Sequence, residues 1–389
     1  MKEIDRLIAL RLAALEQDGL RRTLKVCTPL VGLGVLVDDG ETKTEAINFC
    51  GNDYLGLAAT PVSESIARST PAGAGASRLL SGTHPAHAQV ERQIAALMDR
   101  EAALLFGSGF QANLGLLTAL AEVCGDILSD GENHASLIDA CRLARANVRI
   151  VGHRDVDALA DALDECAGPA LVVVESLYSM SGEAWDFAAL AELKRERPFV
   201  LLVDEAHGFG AYGPQGRGVL ARQGAAELAD IVMAGLGKAA GLSGAFVAAG
   251  RPVIDLLLNR ARSFIYTTAL SPLLAALAAE RLRLIAAGDD LRAALQANVH
   301  TFREALAHHG VIARGETYSA VVPIVVGEPE QALRAARELL RRGYFVQAIR
   351  PPTVPPGTAR LRVSLSARHE RDDLLGLAAA LGDLARTAF

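Results

Sequence analysis

An acid, a histidine and a lysine that could form a cofactor site occur in two neighbouring segments, VLLVDEAHGFG at 200–210 and AGLGKAAG at 234–241. Asp204 ends an apolar run, His207 follows it, and Lys238 lies in a glycine-rich turn. A lysine amine can bind an aldehyde cofactor covalently, and an acid can keep a pyridine nitrogen protonated so that the ring accepts electrons. The three side chains therefore predict a site for pyridoxal phosphate (PLP), with Lys238 as its covalent anchor.

Two nucleotide-binding interpretations compete with this prediction and fail. The GLGK sequence at Lys238 resembles part of a P-loop, but Ala239 stands where that loop needs serine or threonine, and the earlier glycine is missing. The GLG sequence at 32–34 is part of a dinucleotide fingerprint without its third glycine or the helix that should follow. PLP thus remains the cofactor that these residues favour.

Further polar residues follow predicted strands, which is where parallel sheets form their sites. GSGF at 107–110 opens a helix whose first N–H groups suit a phosphate, and His134 follows the strand that ends at Asp130. Glu175 and Ser179 follow the apolar run ALVVV. Taken singly, each has a structural explanation as a tight turn, a surface histidine or a helix cap. Their occurrence at successive strand ends, in chain order, favours one common site.

The segments that would position these residues alternate between strands and helices. The strand candidates are separated by helical or turn sequence and lie at 102–106, 126–130, 170–176, 199–205 and 230–235. This alternation predicts an α/β fold with a mostly parallel sheet covered by helices. The segment 244–250 follows after too short a gap for a helical crossover, so we expect it to be antiparallel.

The same patterns divide the chain into three parts. Residues 1–45 hold an amphipathic helix, which we expect to pack on the body, and the start of a hairpin at 31–49. Residues 46–271 form a large cofactor-binding domain, and residues 272–389 form a smaller C-terminal α/β domain. The last part begins with one long helical run, from 272 to about 310, and continues with mixed strands.

Composition argues against several function classes. The formal net charge of −6 disfavours a nucleic-acid-binding protein, and no apolar run is long enough to cross a membrane. The five cysteines contain no pair at metal-binding or redox spacing, so no metal site is predicted. The N-terminal segment carries acidic residues and no cleavage pattern. We therefore expect a cytoplasmic enzyme with small-molecule substrates and no nucleic-acid or membrane partner.

Motifs along the chain resemble those of the α-oxoamine synthases, a family of fold-type-I PLP-dependent transferases. The resemblance runs from about residue 20 to the C-terminus and rests above all on NFCGNDYLGLA (48–58), GAGASRLLSGTH (73–84), VDEAHGFGAYGPQGRG (203–218), GLGKAAGLSGAF (235–246) and AIRPPTVPPGTARLRVSLSARHE (348–370). It implies a mostly parallel seven-stranded sheet in the large domain, a smaller C-terminal domain and a homodimer. The last segment is typical of members that condense L-alanine with a pimeloyl thioester of CoA or of an acyl-carrier protein.

The resemblance also implies roles for individual residues. Lys238 binds PLP covalently, Asp204 pairs with the pyridine nitrogen, and His134 stacks on the ring. With His207 these are the predicted catalytic residues. Further cofactor contacts are implied for Ser179 and His207 at the 3′-oxygen, for Gly109 and Phe110 at the phosphate, and for Thr267 and Thr268 at the partner subunit's phosphate. Substrate contacts are implied for Arg362 and Asn52 at the alanine carboxylate, and for Arg21 and Thr353 at the acyl group.

One position departs from the family pattern. The family has threonine three residues before the lysine, where its hydroxyl binds the phosphate, whereas this chain has Gly235. A hydrogen bond to a charged group contributes about 1.5–3 kcal/mol, so we expect weaker retention of PLP unless Ser108 or Thr268 compensates. Two other functions stay open: another α-oxoamine synthase, such as a glycine C-acetyltransferase, and a non-catalytic binding subunit, against which the presence of Lys238 argues.

Overall fold

In the computed structural model, which describes residues 2–388, the chain forms two compact units. The large unit comprises Asn52–Ser179 and Glu183–Ala293. The small unit comprises the chain up to Gly51, Met180–Gly182 and the chain from Ala294 onward. These limits differ from the expected ones at 45/46 and 271/272, because the N-terminal and C-terminal segments group together and the helix after residue 272 groups with the large unit.

Strands and helices alternate along most of the chain. The strands are β1 Val26–Pro29, β2 Gly34–Asp38, β3 Lys43–Asn48, β4 Ala102–Phe106, β5 Asp126–Asp130, β6 Asn147–Val151, β7 Ala170–Glu175, β8 Val200–Asp204, β9 Ile231–Gly235, β10 Ala245–Ala249, β11 Val321–Gly327, β12 Tyr344–Phe345, β13 Gln347–Ile349 and β14 Ala359–Ser364. The helices are α1 Glu3–Gln17, α2 Glu64–Ser69, α3 Pro85–Met98, α4 Gly109–Leu120, α5 Ala135–Leu143, α6 Val156–Asp164, α7 Phe187–Glu196, α8 Val219–Arg222, α9 Arg251–Arg260, α10 Arg262–Ile265, α11 Pro272–Ala286, α12 Asp289–His308, α13 Pro329–Arg341 and α14 Arg371–Ala388.

The large unit is built on a seven-stranded sheet with the strand order β4-β10-β9-β8-β7-β5-β6. Strands β9, β8, β7, β5 and β6 run parallel to one another, whereas β10 is antiparallel to both β4 and β9. The mostly parallel sheet and the antiparallel strand at 244–250 are therefore confirmed. Strands β4, β7 and β10 are buried along their whole length, which explains why β4, β10 and β7 up to Val174 consist of apolar residues only.

Polar capping residues set the start of the helices that leave the carboxyl edge of this sheet. The Ser108 side chain accepts a hydrogen bond from Gln111 N–H at the start of α4, and the His134 side chain accepts one from Ser136 N–H at the start of α5. Both caps follow closely after a strand, β4 and β5 respectively. Two of the predicted site segments are therefore anchored by local structure at the same edge.

The small unit contains two smaller sheets, β1-β2-β3-β12 and β11-β14-β13. Strands β2 and β3 pair antiparallel, which confirms the expected hairpin. Strand β14 lies between β11 and β13 and is antiparallel to both, so it is the central strand of its sheet. Arg362 lies on this strand and is only 6% exposed.

The expectation of one long helix after residue 272 is wrong. Helix α11 ends at Ala286 and α12 begins at Asp289, so the run is divided at Gly288. A glycine favours the end of one helix, and the acidic pair that follows favours the start of the next. The apolar periodicity continues on both sides of the break, which is why the pattern alone suggested a single helix.

The N-terminal helix α1 forms as expected, but the expectation that it packs on the body is wrong. None of its residues is buried, and the apolar side chains Ile4 and Leu10 are 57% and 62% exposed. Its apolar stripe is thus left uncovered by the described part of this chain. No helix among residues 2–388 has both the length and the apolar character needed to span a membrane.

Candidate active site

Two buried carboxyl groups lie side by side at the ends of central strands in the large sheet. Glu175 on β7 is the register partner of Asp204 on β8, and the two residues are 3% and 4% exposed. Asp204 Oδ1 accepts a hydrogen bond of 2.8 Å from Ala206 N–H. Burial, followed by the charge of Asp204, raises the pKa of Glu175 well above its usual value. Glu175 is thus favoured as a neutral acid beside the Asp204 carboxyl group.

Lys238 lies on the turn that follows β9, beside the strand that carries Asp204. The turn is closed by a hydrogen bond of 2.9 Å from Gly241 N–H to the Lys238 carbonyl, with Gly241 at φ +64°. A Cβ at Gly241 would lie 2.3 Å from the Ala58 nitrogen, so only glycine fits. Burial and the Asp204 charge have the two largest effects on the pKa of Glu175. The Lys238 charge has the next largest effect, and it lowers this pKa. The predicted lysine and the predicted acid therefore meet at one place.

His134 is held in a single orientation with a defined proton position. Its Nδ1 accepts a hydrogen bond of 3.1 Å from Ser136 N–H and lies 2.8 Å from Ser136 Oγ. Because a backbone N–H can only donate, Nδ1 is an acceptor and the neutral ring carries its proton on Nε2. Partial desolvation has the largest effect on the pKa of His134 and lowers it. The Asp204 charge raises this pKa, and the Lys238 charge lowers it. His134 is therefore a neutral donor through Nε2 at neutral pH.

Asn113, a buried residue of α4, connects Asp204 with His134. Its Nδ2 donates hydrogen bonds of 3.0 Å to Asp204 Oδ2 and 2.9 Å to Ser136 Oγ, and Ser136 contacts the His134 ring. One amide group thus positions both predicted cofactor-contacting side chains. Sequence analysis missed Asn113, although it lies one helical turn beyond Gly109 in the segment FGSGFQAN, where it faces the same strand ends.

His207 and Asn52 are joined by a second residue that sequence analysis missed. Tyr54 Oη lies 2.6 Å from His207 Nδ1 and donates a hydrogen bond of 3.4 Å to Asn52 Oδ1. Tyr54 and His207 are both almost fully buried, and the predicted residue Ser179 is buried in the segment after β7. Tyr54 therefore fixes the orientation of His207 in the loop after β8. The signal in the sequence was the polar NDY at 52–54 at the start of the large unit.

The predicted phosphate end of the site is formed by the start of α4. The N–H groups of Gly109 and Phe110 lie in the first turn, where a helix offers no acceptor of its own. A Cβ at Gly235 would find Ala206 Cβ as its nearest neighbour, at 4.0 Å, so this position has room for a side chain. Thr267 and Thr268 line a cavity beside this helix start together with Gly107, Gln111 and Arg78.

The remaining predicted site residues, Arg362, Thr353 and Arg21, lie in the small unit. Arg362 Nη1 donates a hydrogen bond of 3.0 Å to Ser364 Oγ. Thr353 is exposed, and its Oγ1 accepts a hydrogen bond of 3.3 Å from Arg22. Arg21 instead pairs with Glu16 at 2.5 Å. The structure thus places Arg22, the neighbour of the predicted Arg21, at Thr353.

The residues of the large unit fit PLP. The buried anion at Asp204 would otherwise be costly, and a protonated pyridine nitrogen is the cation that would balance it. The Lys238 amine is the group that binds an aldehyde, and the first turn of α4 offers N–H groups to a phosphate. Asp204, Lys238 and His134 would hold the ring and its aldehyde carbon, and Gly109 and Phe110 the phosphate.

Comparison with known proteins agrees with this geometry. Residues 44–381 match the sequence profile described as aminotransferase class I and II. The chain belongs to this aminotransferase family. Relatives named 8-amino-7-oxononanoate synthase include one from Alkalilimnicola ehrlichii, 45% identical over 388 residues and covering 98% of both chains. Another, from Burkholderia pseudomallei, is 45% identical over 383 residues and covers 95% of both chains.

Solved structures of the family share the fold over nearly the whole chain. A serine palmitoyltransferase from S. paucimobilis, solved with PLP and myriocin bound, has a TM-score of 0.90 at 26% identity and covers 100% of this chain and 99% of its own. An 8-amino-7-oxononanoate synthase from Francisella tularensis has a TM-score of 0.76 at 28% identity and covers 88% of this chain and 98% of its own. The predicted fold-type-I class and the α-oxoamine synthase resemblance are confirmed.

Proposed function

We propose that this chain is an 8-amino-7-oxononanoate synthase, a PLP-dependent acyltransferase of biotin biosynthesis. It condenses L-alanine with a pimeloyl thioester, releasing CO₂ and the thiol of the carrier. The observation that supports the reaction is the meeting of Asp204, Lys238 and His134 at one edge of the sheet. The support for the substrates is the 45% identity, over 98% of the chain, to a relative that bears this name.

Asp204 and Lys238 are the residues that would hold the cofactor, Asp204 at its pyridine nitrogen and Lys238 at its aldehyde carbon. When bound, PLP supplies an electron sink that spreads the negative charge formed at the substrate Cα. Asn113 Nδ2 and the Ala206 N–H both donate hydrogen bonds to the Asp204 carboxylate, the group that would pair with the pyridine nitrogen. Lys238 would hold the cofactor covalently through Nζ, and the same amine, when free, would take the proton from alanine Cα.

His134 serves the carbon–carbon bond-forming step. The electron pair at alanine Cα attacks the thioester carbonyl, and the thiolate of the carrier leaves. The carboxylate is then lost as CO₂, and its bonding electrons return to Cα, which takes up a proton. Since Nδ1 of His134 is an acceptor, its Nε2–H can donate to the carbonyl oxygen that gains charge in these steps.

The substrate contacts are assigned from the family pattern. Arg362 pairs with the alanine carboxylate, a task suited to a planar guanidinium, with Asn52 near it. Its burial at 6% exposure supports a preorganised contact. Thr353 and Arg21 contact the acyl group, and the hydrogen bond from Arg22 to Thr353 adds Arg22 to this assignment.

We also propose a binding face for the carrier of the acyl group and a dimeric assembly. Arg22 and Lys25 are exposed, and Arg350 is half-buried. Desolvation lowers the pKa of Arg350 most, and the nearby Arg22 charge lowers it further. This face of the small unit is therefore basic. We assign it to the phosphates of CoA or to an acidic acyl-carrier protein. The chain acts as a cytoplasmic homodimer in which Thr267 and Thr268 reach the partner subunit's phosphate.

A product assay tests the proposed function. The PLP-loaded protein is incubated with L-alanine, glycine or L-serine and with pimeloyl, acetyl or palmitoyl thioesters, and the amine products are identified by mass spectrometry. We expect the highest kcat/KM for L-alanine with a pimeloyl thioester. A preference for glycine with acetyl-CoA would replace the proposal by glycine C-acetyltransferase activity. Absence of any amine product from PLP-loaded protein would refute catalysis.

A further inference from the structure

Three side chains of the large unit that can bind metal ions lie close together, and none of them is among the residues assigned to PLP. Glu132 follows β5, His153 follows β6, and Glu183 lies in the segment after β7. One ligand atom from each lies within 4.8 Å of the others. We call these residues the Glu132–His153–Glu183 cluster. They come from adjacent strands of one sheet, so their relative positions are set by the rigid part of the fold.

His153 is oriented by a buried carboxylate. Its Nδ1 lies 2.8 Å from Asp130 Oδ1, and the Asp130 side chain is fully buried. Asp130 is itself fixed by N–H donors from Glu132 at 2.8 Å and from Arg154 at 2.9 Å. A carboxylate bound to one ring nitrogen is the usual arrangement that directs the other nitrogen toward a metal ion.

The second nitrogen of His153 has no hydrogen-bond partner. Its Nε2 is buried, and it faces Glu183 Oε2 at 3.5 Å and Glu132 Oε2 at 3.7 Å. These distances exceed those of a normal N–H···O hydrogen bond, which is about 2.7–3.2 Å. Ligands bound at about 2.0–2.2 Å around a tetrahedral metal ion lie roughly 3.3–3.6 Å apart. The 3.5 Å separation lies within this range and the 3.7 Å separation lies just above it, so a cation between these atoms fits the spacing better than a shared proton.

The charges around the cluster also favour a cation. Asp130, Glu132 and Glu183 contribute three carboxylates, and the guanidinium of Arg154 contacts Glu183 Oε1 at 3.2 Å. Three carboxylates around one imidazole attract a cation to this place. Because Arg154 occupies Oε1, the oxygen of Glu183 that faces His153 is Oε2.

We propose that this cluster binds a divalent transition-metal ion of the Zn²⁺ type. The ligands are His153 Nε2 and one carboxylate oxygen each from Glu132 and Glu183, with water completing the shell. One imidazole and two carboxylates suit Zn²⁺ better than Ca²⁺ or Mg²⁺, which prefer oxygen ligands alone. Cysteine spacing did not reveal this site, because its ligands are far apart in sequence and are brought together by neighbouring strands.

A bound ion would connect two segments that also carry predicted cofactor contacts. Glu132 lies two residues before His134, and Glu183 lies four residues after Ser179. The ion would therefore restrict the same two segments from a point outside the PLP residues. Metal binding itself does not depend on the proposed reaction, so the two proposals can fail separately.

The test is calorimetric titration of holoenzyme with ZnCl₂ after metal removal by chelator and removal of excess PLP. Wild type is compared with Glu132→Gln and His153→Gln and with Glu227→Gln, an exposed carboxylate of the same unit outside the cluster. We expect one Zn²⁺ per chain in wild type and control. Loss of a ligand should weaken binding at least about tenfold, since even outer-shell changes have that effect.

Three outcomes would overturn the proposal. Wild type could bind no Zn²⁺ at this stoichiometry, in which case a protonated His153 balances the carboxylates. Glu132→Gln and His153→Gln could bind as tightly as the control, which would place the ion elsewhere. CaCl₂ or MgCl₂ could bind more tightly than ZnCl₂, which would exclude a transition-metal site. Glu132 is exposed, so its variant keeps the fold, and circular dichroism of each variant verifies this.

Discussion

The predicted cofactor residues of the large unit and the predicted acyl-contacting residues of the small unit are held in different ways. Asp204 is 4% exposed, ends a central strand and accepts two hydrogen bonds, one of them from Asn113. Arg21 and Thr353 lie on exposed segments and bond to Glu16 and Arg22, which are exposed themselves. Arg362 is the buried exception in the small unit.

This difference suggests a division of tasks. Residues that hold a reactive cofactor must keep their geometry within a fraction of an ångström, which buried networks on strand ends provide. Residues that contact a long flexible acyl chain can remain on the surface. We therefore expect substitutions in the large unit to change turnover or cofactor retention. Substitutions on the exposed face of the small unit should change KM for the acyl donor.

The largest effect is expected for Lys238→Ala. Without the amine, the protein loses both the covalent anchor and the base, and kcat should fall at least about 10³-fold. The visible absorbance of lysine-bound PLP should disappear as well. Lys194→Ala is the matched control, because Lys194 contacts Asp230 and the Leu228 carbonyl instead. A retained visible band in Lys238→Ala would show that another residue anchors PLP.

A buried histidine of the small unit should make stability depend on pH. His369 Nδ1 accepts from Ser366 N–H at 2.9 Å, Nε2 lies 3.1 Å from the Asn48 carbonyl, and burial lowers the pKa of His369 to about 4. Between pH 6.5 and 4, His369 is protonated in the unfolded chain but neutral in the folded protein. The contribution of neutral His369 to folding stability is therefore complete above pH 6.5 and is lost as the pH falls to 4. The loss should be roughly 3 kcal/mol.

Denaturant unfolding at several pH values measures this loss. His369→Gln should be less stable than wild type at pH 7 and lose less stability between pH 6.5 and 4. His300→Gln, at an exposed position, should follow wild type. Identical pH profiles for wild type and His369→Gln would show that His369 is not the group responsible.

Asn113→Ala tests the network that joins Asp204 with His134. It removes a donor to a charged carboxylate, worth about 1.5–3 kcal/mol, so kcat should fall about 10- to 150-fold. KM for the acyl donor should stay nearly constant. Ser136→Ala removes only the His134 side of the network and should have a smaller effect. If Asn113→Ala raised KM for the acyl donor and left kcat unchanged, the division between the two regions would be wrong.

Gly235→Thr restores the side chain that the family pattern places before the lysine. A Cβ there would meet Ala206 Cβ at 4.0 Å, so it fits without displacement. A new hydrogen bond to the phosphate should slow PLP dissociation about tenfold. Gly235→Ala adds the carbon without the hydroxyl and separates the two contributions. Equal dissociation rates for the threonine and alanine variants would show that the hydroxyl does not reach the phosphate.

The smallest effect is expected on the exposed basic face. The double variant Arg22→Glu, Lys25→Glu should raise KM for the acyl donor about 3- to 10-fold at low salt and leave KM for alanine unchanged. Lys43→Glu, at a side chain of β3 that is 68% exposed, changes the net charge by the same amount as either single variant, Arg22→Glu or Lys25→Glu, and is the control for each of them. An unchanged KM for the donor would remove this face from substrate binding.

Local patterns predicted the strands and the polar residues that end them, because a buried parallel strand is an uninterrupted apolar run. They could not predict Asn113 or Tyr54, whose roles depend on which helix and loop meet Asp204 and His207 in space. The break at Gly288 was missed because apolar spacing continues across it. Helix α1 was expected to be covered because an amphipathic pattern shows which side is apolar and not what lies against it.

The most direct test of the proposed function is the fate of the alanine carbons. PLP-loaded wild type is incubated with a pimeloyl thioester and L-alanine labelled with ¹³C at all three carbons, and products are analysed by mass spectrometry. We expect an amine product that keeps two labelled carbons, with the third released as labelled CO₂ in equal amount. An amine product that keeps all three labels, or thioester consumption that yields only pimelate, would contradict decarboxylative condensation.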